Sequence, residues 1–245
     1  MSRLTVLNLG CGWQTSDRCI NIDWSLPVRL KASPVGRRVA PLILNPGQRT
    51  AFKRMTGTLQ GHDLREGIPF EDASVDAVYH SHVLEHIDRE HVPGFLAEVF
   101  RVLRPGGVHR VVVPDLERQA RAYVDSLDAS LADPGAVEQH EATVHTLIEQ
   151  MVRREAYFTS TRKPLRRRAE NLLLGDARKR GETHQWMWDR VSLPRELELA
   201  GFVDPEVVDN RTSRIPDWRG YRLDEDADGH EYKTDSMYVE AVKPG

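Results

Sequence analysis

The chain is poor in cysteine, in aromatic residues and in long apolar runs. It has two cysteines among 245 residues, Cys11 and Cys19, and their separation fits neither a disulfide framework nor a zinc-finger spacing. This favours a reducing environment. The longest near-continuous apolar run, residues 39–44, contains a proline and is far shorter than the roughly 20 residues of a membrane span. Residues 4–9 already look like a strand, which is not the layout of a signal peptide. We therefore expect a cytoplasmic protein without a membrane span.

The charge is small overall but unevenly distributed. The formal net charge is −3, which gives no general preference for nucleic acid. Residues 151–181 carry a net charge of +7, so the rest of the chain carries −10. Such a basic segment either attracts anions and phosphates or forms the solvated face of a helix. The chain lacks the interleaving of aromatic and basic residues that is typical of nucleic-acid stacking platforms, so nucleic acid is not the favoured partner.

Apolar, β-compatible segments alternate with helical patterns along the chain. The spacing of apolar side chains predicts an amphipathic helix over residues 92–103. Strands are predicted at residues 4–9, 19–23, 75–79, 108–113, 207–208 and 237–242. Alternation of this kind predicts one α/β domain with a mostly parallel sheet. Ligands bind such sheets at the carboxyl ends of the strands.

Distinctive residues follow the first three predicted strands. A glycine turn, Gly10-Cys11-Gly12, ends the first strand and lets the backbone approach a ligand closely. Asp23 ends the second strand, where a carboxylate can accept hydrogen bonds from ribose hydroxyls. Asp63 follows a plausible third strand and could accept from an adenine amino group. Together they describe an adenosine site without specifying the cofactor, while each acid alone could equally be a helix cap.

Four segments stand in a specific order: LNLGCG at residues 7–12, IPFEDASVD at 68–76, SHVLEHI at 81–87 and FRVLRPGG at 100–107. In this order they resemble the class I S-adenosylmethionine-dependent methyltransferases of the type 11 group. The resemblance implies a Rossmann-like, mostly parallel sheet of seven strands whose last strand, near residues 237–242, is antiparallel. It also implies S-adenosylmethionine as the cofactor.

The resemblance assigns cofactor contacts residue by residue. It implies that the methionine moiety lies against the glycine turn, that Asp23 holds the ribose, and that the adenine lies against Asp63 and the backbone of Leu64. His80 and Ser81, just past the fourth predicted strand, would lie beside the methionine end and the transferred methyl group. The implied cofactor residues are therefore Gly10, Cys11, Gly12, Asp23, Asp63, Leu64, His80 and Ser81.

The first crossover of the fold is short. Only residues 13–18 separate the glycine turn from the second strand, whereas a parallel crossover usually takes about a dozen residues or more. We therefore expect the first helix to be reduced to a turn.

Two segments are predicted to be insertions. Residues 24–54 contain four prolines and are predicted to form a lid or insertion, and residues 116–190 are predicted to form a helical cap over the acceptor site. We expect a homodimer, if one forms, to pair through the inserted helices.

The shortened crossover and the segments at residues 214–218 and 235–241 are similar to the methylmannose-polysaccharide O-methyltransferases. This resemblance implies transfer of a methyl group to a hydroxyl of a carbohydrate, a mannoside or an oligosaccharide, in polysaccharide biosynthesis. The alternative is a methyltransferase acting on another small metabolite, or on RNA through residues 151–181. Binding to RNA would show a steep dependence on salt.

A hydroxyl acceptor needs a general base within hydrogen-bond reach, and histidine suits this role. The candidate catalytic residues are His145, His82, Asp115 and His184. For each histidine the alternative is a packed or solvated side chain. Asp115 could orient a base or bind Mg²⁺, and the alternative is that it caps the next helix. His82 and His86 are four residues apart, but they lack the His-Glu-x-x-His order, so we predict no other metal site.

There are three further alternatives, one for the role of two tryptophans and two for the class of protein. Trp186 and Trp188 either stack on the acceptor or pack the inserted helices onto the sheet. A nicotinamide oxidoreductase would need Gly-x-Gly-x-x-Gly, but Thr15 stands at the third glycine position, so this class is disfavoured. A non-catalytic protein that kept the fold is disfavoured by the presence of Gly10, Gly12, Asp23 and Asp63.

Overall fold

The computed structural model describes residues 4–150, 184–226 and 228–245. Its centre is a seven-stranded sheet with the order β3-β2-β1-β4-β5-β7-β6. The strands are β1 (Val6–Leu9), β2 (Ile20–Ile22), β3 (Thr58–Gln60), β4 (Val75–Ser81), β5 (Leu103–Pro114), β6 (Val203–Val208) and β7 (Ser236–Val242). Strands β1 to β5 are parallel to one another, and β7 is antiparallel to both β5 and β6. The predicted Rossmann-like sheet with an antiparallel last strand is confirmed.

Helices and short turns connect the strands. The described helices are α1 (Leu26–Ala32), α2 (Pro34–Ile43), α3 (Pro46–Arg54), α4 (Val92–Val102), α5 (Leu116–Ala132), α6 (Val137–Gln150) and α7 (Ser192–Leu199). Short 3-10 turns lie at Leu64–Glu66, Leu84–His86, Pro134–Ala136 and Trp218–Tyr221. In the described part of the chain, every helix is too short or too polar to cross a membrane.

The main core lies between the sheet and α4. This helix covers nearly the same residues as its apolar spacing predicts, and it buries one complete stripe, Val92, Phe95, Leu96, Val99 and Val102. Burial of each such side chain is worth about 1.5–3 kcal/mol, so this stripe attaches the helix to the sheet. The same cluster includes residues of β1, β4 and β5, which fixes the carboxyl ends of these strands relative to one another.

The first crossover contains no α-helix, as its length predicts. Residues 13–18 form turns, and a buried polar network stabilises them. Asn21 of β2 donates to the carbonyl of Ser16 at 2.8 Å, and Asn8 of β1 donates to the side-chain oxygen of Asn21 at 2.9 Å. Buried amides are tolerated when their hydrogen bonds are made. Here these bonds replace the packing that a helix would supply.

Residues 24–54 form the crossover from β2 to β3. Helices α1 to α3 have a small core of their own, built from Val28, Leu30, Ala40, Leu44, Phe52 and Met55, and the side chain of Cys11 is part of it. This segment is therefore anchored beneath the glycine turn. Its role as a lid stays a prediction.

The predicted helical cap is described only in part. Helix α6 follows α5 through a 3-10 turn and packs against it, with Ser126 Oγ 2.9 Å from Nδ1 of His140. The basic segment at residues 151–181 lies outside the described residues. The function of the cap, like the proposed homodimer, stays a prediction.

Glu98 of α4 links the helix to the loop before β4, and its loss should be visible in the pH dependence of stability. One carboxylate oxygen accepts from Arg101 Nε at 2.8 Å, and the other accepts from the backbone N–H of Ile68 at 2.9 Å. The guanidinium of Arg101, followed by the Ile68 hydrogen bond, lowers the Glu98 pKa from 4.5 to about 2. The resulting stabilisation is complete above pH 4.5 and is lost as the pH falls through about 2.

We expect Glu98→Gln to lower the free energy of unfolding at pH 7 by about 1 kcal/mol, because solvent screens this partly exposed pair. Urea denaturation at pH 7 and at about pH 3 measures the difference, which should be smaller at the lower pH. Glu90→Gln, at an exposed position, is the control. An equal loss at both pH values would contradict the assignment.

Candidate active site

The carboxyl ends of β1, β2 and β4 meet at one edge of the sheet. Leu9 of β1 pairs with Ile22 of β2 on one side and with His80 of β4 on the other. The loops that follow these strands therefore start side by side. The chain order reverses between β1 and β4, which is where open parallel sheets bind their ligands. The predicted cofactor residues at the ends of these three strands are thus brought together.

Asp23 ties two of these loops together. Its carboxylate accepts from the N–H of Gly12 at 2.9 Å and from the N–H of Ser25 at 2.5 Å. The N–H of Cys11 donates to the carbonyl of Ile22 at 3.3 Å, which adds a second link between the loops. Each carboxylate oxygen keeps a further lone pair. Asp23 can therefore hold the glycine turn in place and still accept hydrogen bonds from a ligand.

A second polar group lies beside this carboxylate. The hydroxyl of Ser25 is buried and has no hydrogen-bond partner among the described residues. A buried hydroxyl normally has a partner from protein, water or ligand. The pair of Asp23 and Ser25 therefore suits the hydroxyl groups of a ribose. Ser25 was not predicted from the sequence, although its position two residues after Asp23 was an available signal.

The two glycines of the turn have different reasons to be glycine. Both adopt positive φ, +62° at Gly10 and +50° at Gly12, which favours glycine. A Cβ at Gly10 would lie 2.4 Å from Cγ2 of Val83, so a side chain packs directly on this residue. A Cβ at Gly12 would meet nothing within 4 Å, so the space above it is open. That open space adjoins Asp23 and can admit a ligand.

Cys11 contributes its backbone to the turn rather than its sulfur. The side chain is buried against α1 to α3, and burial raises the pKa of the thiol well above its ordinary value. The thiol is therefore neutral and turned away from the sheet edge. The implied cofactor contact of Cys11 stays a prediction for its main-chain atoms alone.

The two glycines make separate predictions. Gly12→Ala should cost about 1 kcal/mol of stability from positive φ alone, yet weaken S-adenosylmethionine binding about tenfold, because the new methyl group occupies the open space. Gly10→Ala should cost about 2–3 kcal/mol, since crowding against Val83 adds to the strain. Thermal denaturation and calorimetric titration measure both. The double variant Gly10→Ala/Val83→Ala should regain part of the lost stability. If Gly12→Ala bound the cofactor as well as the unsubstituted protein does, the open space would not be the binding site.

Asp63 is occupied by a neighbouring arginine. Its carboxylate caps the 3-10 turn Leu64–Glu66 by accepting from the N–H of Arg65 at 3.0 Å, and the guanidinium of Arg65 donates to both oxygens. These contacts lower the pKa of Asp63. An adenine amino group would have to share the carboxylate with Arg65. Leu64 is half-buried against the main core. Both implied adenine contacts stay predictions.

His80 does not face the sheet edge. Its side chain is fully buried, with Nε2 3.0 Å from Nε2 of His109 and the ring edge-on to Phe95 at 5.3 Å. Burial lowers the pKa of His80 to about 3, so the ring is neutral. The side chain of His80 is therefore not available at the sheet edge, and its implied place beside the transferred methyl group stays a prediction for its main-chain atoms. Ser81 is the last residue of β4, and its implied place beside the transferred methyl group stays a prediction.

His82 lies in a crowded polar cluster just past β4. The residue has φ +54°, its Nε2 lies 2.9 Å from Oγ of Ser236, and its Nδ1 lies 3.2 Å from Oε1 of Glu85. Burial, followed by the charge of Lys233 and the neighbouring histidines, lowers the pKa of His82 to about 2. A general base works best when its pKa is near the operating pH. The low basicity of His82 therefore counts against it as the general base.

His184 joins the same cluster from a distant part of the chain. The N–H groups of Gln185 and Trp186 donate to the carbonyl of Glu85 at 2.6 and 3.3 Å. The ring of His184 stands edge-on to that of His86, with centroids 4.9 Å apart. His82 and His184 were predicted as separate candidates, and their proximity was not predicted. Their meeting depends on a contact between residues about 100 positions apart.

The other two candidate bases lie elsewhere. Asp115 is the N-cap of α5, accepting from the N–H of Arg118 at 3.2 Å, which is the capping alternative. In the described ranges, the clusters of residues able to share a metal ion do not include Asp115, so we do not propose Mg²⁺ there. His145 has an exposed side chain on α6. Its role as a base stays a prediction.

The two tryptophans after His184 have different environments. Trp188 is fully buried in the main core, and its carbonyl accepts from the N–H of Leu116, so it packs against the sheet. Trp186 is exposed. The guanidinium of Arg89 lies over both rings, 4.6 Å from the centre of Trp188 and 5.4 Å from that of Trp186. Of these two tryptophans, Trp186 is the one that is available for stacking on an acceptor.

The strand order and the polar carboxyl edge define a class I methyltransferase fold. Residues 30–111 match the family described as "Methyltransferase domain". A probable S-adenosylmethionine-dependent methyltransferase of Mycolicibacterium smegmatis is 47% identical over 57 residues, which are 22% of this chain and 21% of that protein. The chain thus spans about a fifth of the length of the curated relative it matches. The resemblance to class I S-adenosylmethionine-dependent methyltransferases is confirmed.

Two of the solved structures that this chain resembles are those of methyltransferases. An S-adenosylmethionine-dependent methyltransferase from Archaeoglobus fulgidus has a TM-score of 0.44 at 14% identity, covering 98% of this chain and 86% of that one. The 1,6-didemethyltoxoflavin-N1-methyltransferase of Burkholderia thailandensis, solved with S-adenosylhomocysteine, has a TM-score of 0.44 at 13% identity, covering 99% and 72%.

Proposed function

We propose that the protein transfers the methyl group of S-adenosylmethionine to a hydroxyl of a carbohydrate acceptor. The observation that carries the proposal is the arrangement around Asp23. Its carboxylate joins the loops after β1 and β2, beside the unpartnered hydroxyl of Ser25 and the open space above Gly12. These residues fit the ribose and the adjoining part of an adenosine cofactor.

The residues of the chain have binding and orienting roles in this reaction. When bound, S-adenosylmethionine supplies an electrophilic methyl group. The oxygen of the acceptor hydroxyl would take this methyl group in exchange for its proton, which a base would accept, and the sulfur of the cofactor would keep the electron pair of the broken bond to carbon. Holding the acceptor and the methyl group in line can supply most of the rate enhancement. In this proposal Asp23 and Ser25 hold the ribose, and Gly12 leaves room for the approach.

The choice of a carbohydrate rests on the resemblance and on exposed tryptophans. Trp13 follows the glycine turn, Trp24 follows Asp23, and Trp186 is held beside Glu85, and all three are exposed. A tryptophan combines a large apolar face with a hydrogen-bond donor. Such rings suit a sugar, which has apolar C–H faces and many hydroxyl groups. The alternatives are another small metabolite and RNA bound through residues 151–181.

His145 is the candidate base that can be tested most directly, because its side chain is exposed. We expect His145→Ala to lower kcat about tenfold, below the usual range for a general base, because solvent can replace an exposed group in part. The affinity for S-adenosylmethionine should not change. Steady-state kinetics and calorimetry measure the two quantities. His140→Ala, on the same helix, is the control for packing, and wild-type turnover of His145→Ala would remove His145 as the base.

The proposal is tested by calorimetric titration with S-adenosylmethionine and, separately, with NADH, followed by a methyl-transfer screen on mannosides with and without Mg²⁺. We expect the protein to bind S-adenosylmethionine but not NADH, and to methylate a sugar. Binding without turnover on a sugar would keep the cofactor and reject the acceptor class. RNA would then be tested over a range of salt concentrations. Absence of S-adenosylmethionine binding would overturn the proposal.

A further inference from the structure

We propose that Glu85, His86 and His184 form a binding site for a divalent transition-metal ion, with Zn²⁺ as the best fit. One carboxylate oxygen and two imidazole nitrogens, one from each residue, lie within 4.8 Å of one another. Two imidazoles and one carboxylate are a ligand set that Zn²⁺ and related ions prefer. Three protein ligands leave a coordination position open for water or a substrate.

Glu85 supplies the observation that points to a cation. Its side chain is fully buried, and neither carboxylate oxygen has a hydrogen-bond partner among the described residues. Nearby imidazole nitrogens of His82 and His86 lie 3.2 and 3.9 Å from Oε1. Buried acids are normally paired, or they coordinate a metal.

The backbone holds the three ligands close together. Glu85 and His86 are neighbours in the 3-10 turn Leu84–His86, so one local fold positions both. The carbonyl of Glu85 accepts from the N–H groups of Gln185 and Trp186, which fixes the segment that begins at His184. A tetrahedral ion with bonds of about 2.1 Å would place its ligand atoms about 3.4 Å apart. The ligand atoms, which lie within 4.8 Å of one another, would have to move closer together when an ion binds.

Lys233 is the competing explanation for the buried acid. Its ammonium group is close enough to Glu85 to influence the pKa of both residues, but no ion pair within 4.0 Å joins them in the described part of the chain. Two other groups of acids and a histidine exist, Asp88 with Glu90 and His91, and Asp226 with Asp228 and His230. Both are mainly exposed and contain no buried carboxylate lacking a hydrogen bond. They serve as controls.

The location of the site links it to the proposed function. The turn Leu84–His86 begins three residues after β4, near the edge where the acceptor is proposed to bind. If the proposed function holds, the open coordination position could take the acceptor hydroxyl and make its proton easier to remove. Metal binding itself needs neither the cofactor nor the acceptor, so it can be tested independently of methyl transfer.

The test is a calorimetric titration of tag-free, chelator-treated protein with Zn²⁺ and, separately, with Mg²⁺. We expect one Zn²⁺ site that binds far more tightly than any Mg²⁺ site. Glu85→Gln and His184→Ala should each weaken Zn²⁺ binding by at least about tenfold. His91→Ala and His230→Ala, in the two exposed groups, should leave Zn²⁺ binding unchanged. Zn²⁺ should also raise the Tm of the unsubstituted protein but not that of His184→Ala.

Several outcomes would overturn the site. If Glu85→Gln bound Zn²⁺ as tightly as the unsubstituted protein does, Glu85 would not be a ligand and the ion would be bound elsewhere, at surface groups. If the variants do not fold, Co²⁺ added to the unsubstituted protein gives the answer, because imidazole and carboxylate coordination produces visible absorption bands. Their absence would overturn the proposal, and so would a loss of Zn²⁺ binding in His91→Ala. S-adenosylmethionine binding by Glu85→Gln, measured in parallel, separates failure of this site from failure of the proposed function.

Discussion

Replacing Asp23 with alanine is expected to weaken S-adenosylmethionine binding about 10- to 100-fold, a loss of about 1–3 kcal/mol. The carboxylate has two roles, since it is the proposed acceptor for the ribose hydroxyls and also accepts from the N–H groups of Gly12 and Ser25. Its removal leaves these donors without their partner and loosens the turn that borders the binding space. Calorimetric titration measures the affinity, and circular dichroism checks the fold.

Asp63→Ala is the matched comparison for Asp23→Ala. Both acids follow strands at the same edge of the sheet, but the guanidinium of Arg65 already occupies the Asp63 carboxylate. Loss of Asp63 should therefore reduce cofactor affinity less than loss of Asp23. Asp23→Asn, which keeps one carbonyl-type acceptor, should fall between the alanine variant and the unsubstituted protein. Unchanged affinity in Asp23→Ala would reject the ribose assignment.

The fold could be predicted from local patterns. The apolar stripe of α4 spans nearly the predicted residues because helical periodicity depends only on neighbours in the sequence. The reduced first crossover followed from the number of residues available. The antiparallel β7 came from the family resemblance, since composition and periodicity do not determine strand direction. Residues 24–54 were harder to predict, because they form three short helices, each with a proline in its first turn and one with a further proline inside, and show no regular period.

The candidate site could be predicted only in part. Gly12 and Asp23 are adjacent in the structure because both end neighbouring parallel strands, which a strand prediction already implies. The direction of the His80 side chain was not predictable, since alternation places successive residues on opposite faces but does not say which face holds α4. The group of Glu85, His86 and His184 depends on the return of a distant segment to the sheet edge. Such contacts leave no trace in local spacing.

Arg110 is the centre of a buried ionic network between β5 and β7. Its guanidinium lies 2.8 Å from Asp224 and 2.8 Å from Glu240, and all three side chains are buried. Arg110 and Glu240 are directly paired across the two strands. Further donors complete the network, with Tyr79 and Trp218 donating to Asp224 at 2.7 and 2.9 Å. The segment that carries Asp224 is thereby attached to the sheet.

We expect Arg110→Met to lower the free energy of unfolding by about 3–5 kcal/mol, because two buried carboxylates lose their counter-ion. Urea denaturation at pH 7 measures this loss. Arg104→Met is the control, since Arg104 pairs with Asp76 at a solvent-exposed position and exposed pairs contribute less than about 1 kcal/mol. Similar losses in the two variants would contradict the importance of burial.

The pH dependence of Arg110→Met should show that uncompensated charge, rather than lost packing, causes the instability. Burial raises the pKa of Asp224 even beside Arg110, and removal of the arginine should raise it further. An acid with a raised pKa in the folded state destabilises the protein fully above that pKa, and the penalty disappears as the pH falls towards the unfolded value. The loss of unfolding free energy in Arg110→Met should therefore become smaller on acidification.

A triple variant tests the same cause at constant pH. Arg110→Met/Asp224→Asn/Glu240→Gln should be more stable at pH 7 than Arg110→Met, since neutral amides carry no charge penalty. A deficit that is independent of pH, with no recovery in the triple variant, would assign the loss to packing around Trp218 and Tyr238, which lie 4.8 and 5.3 Å from the guanidinium.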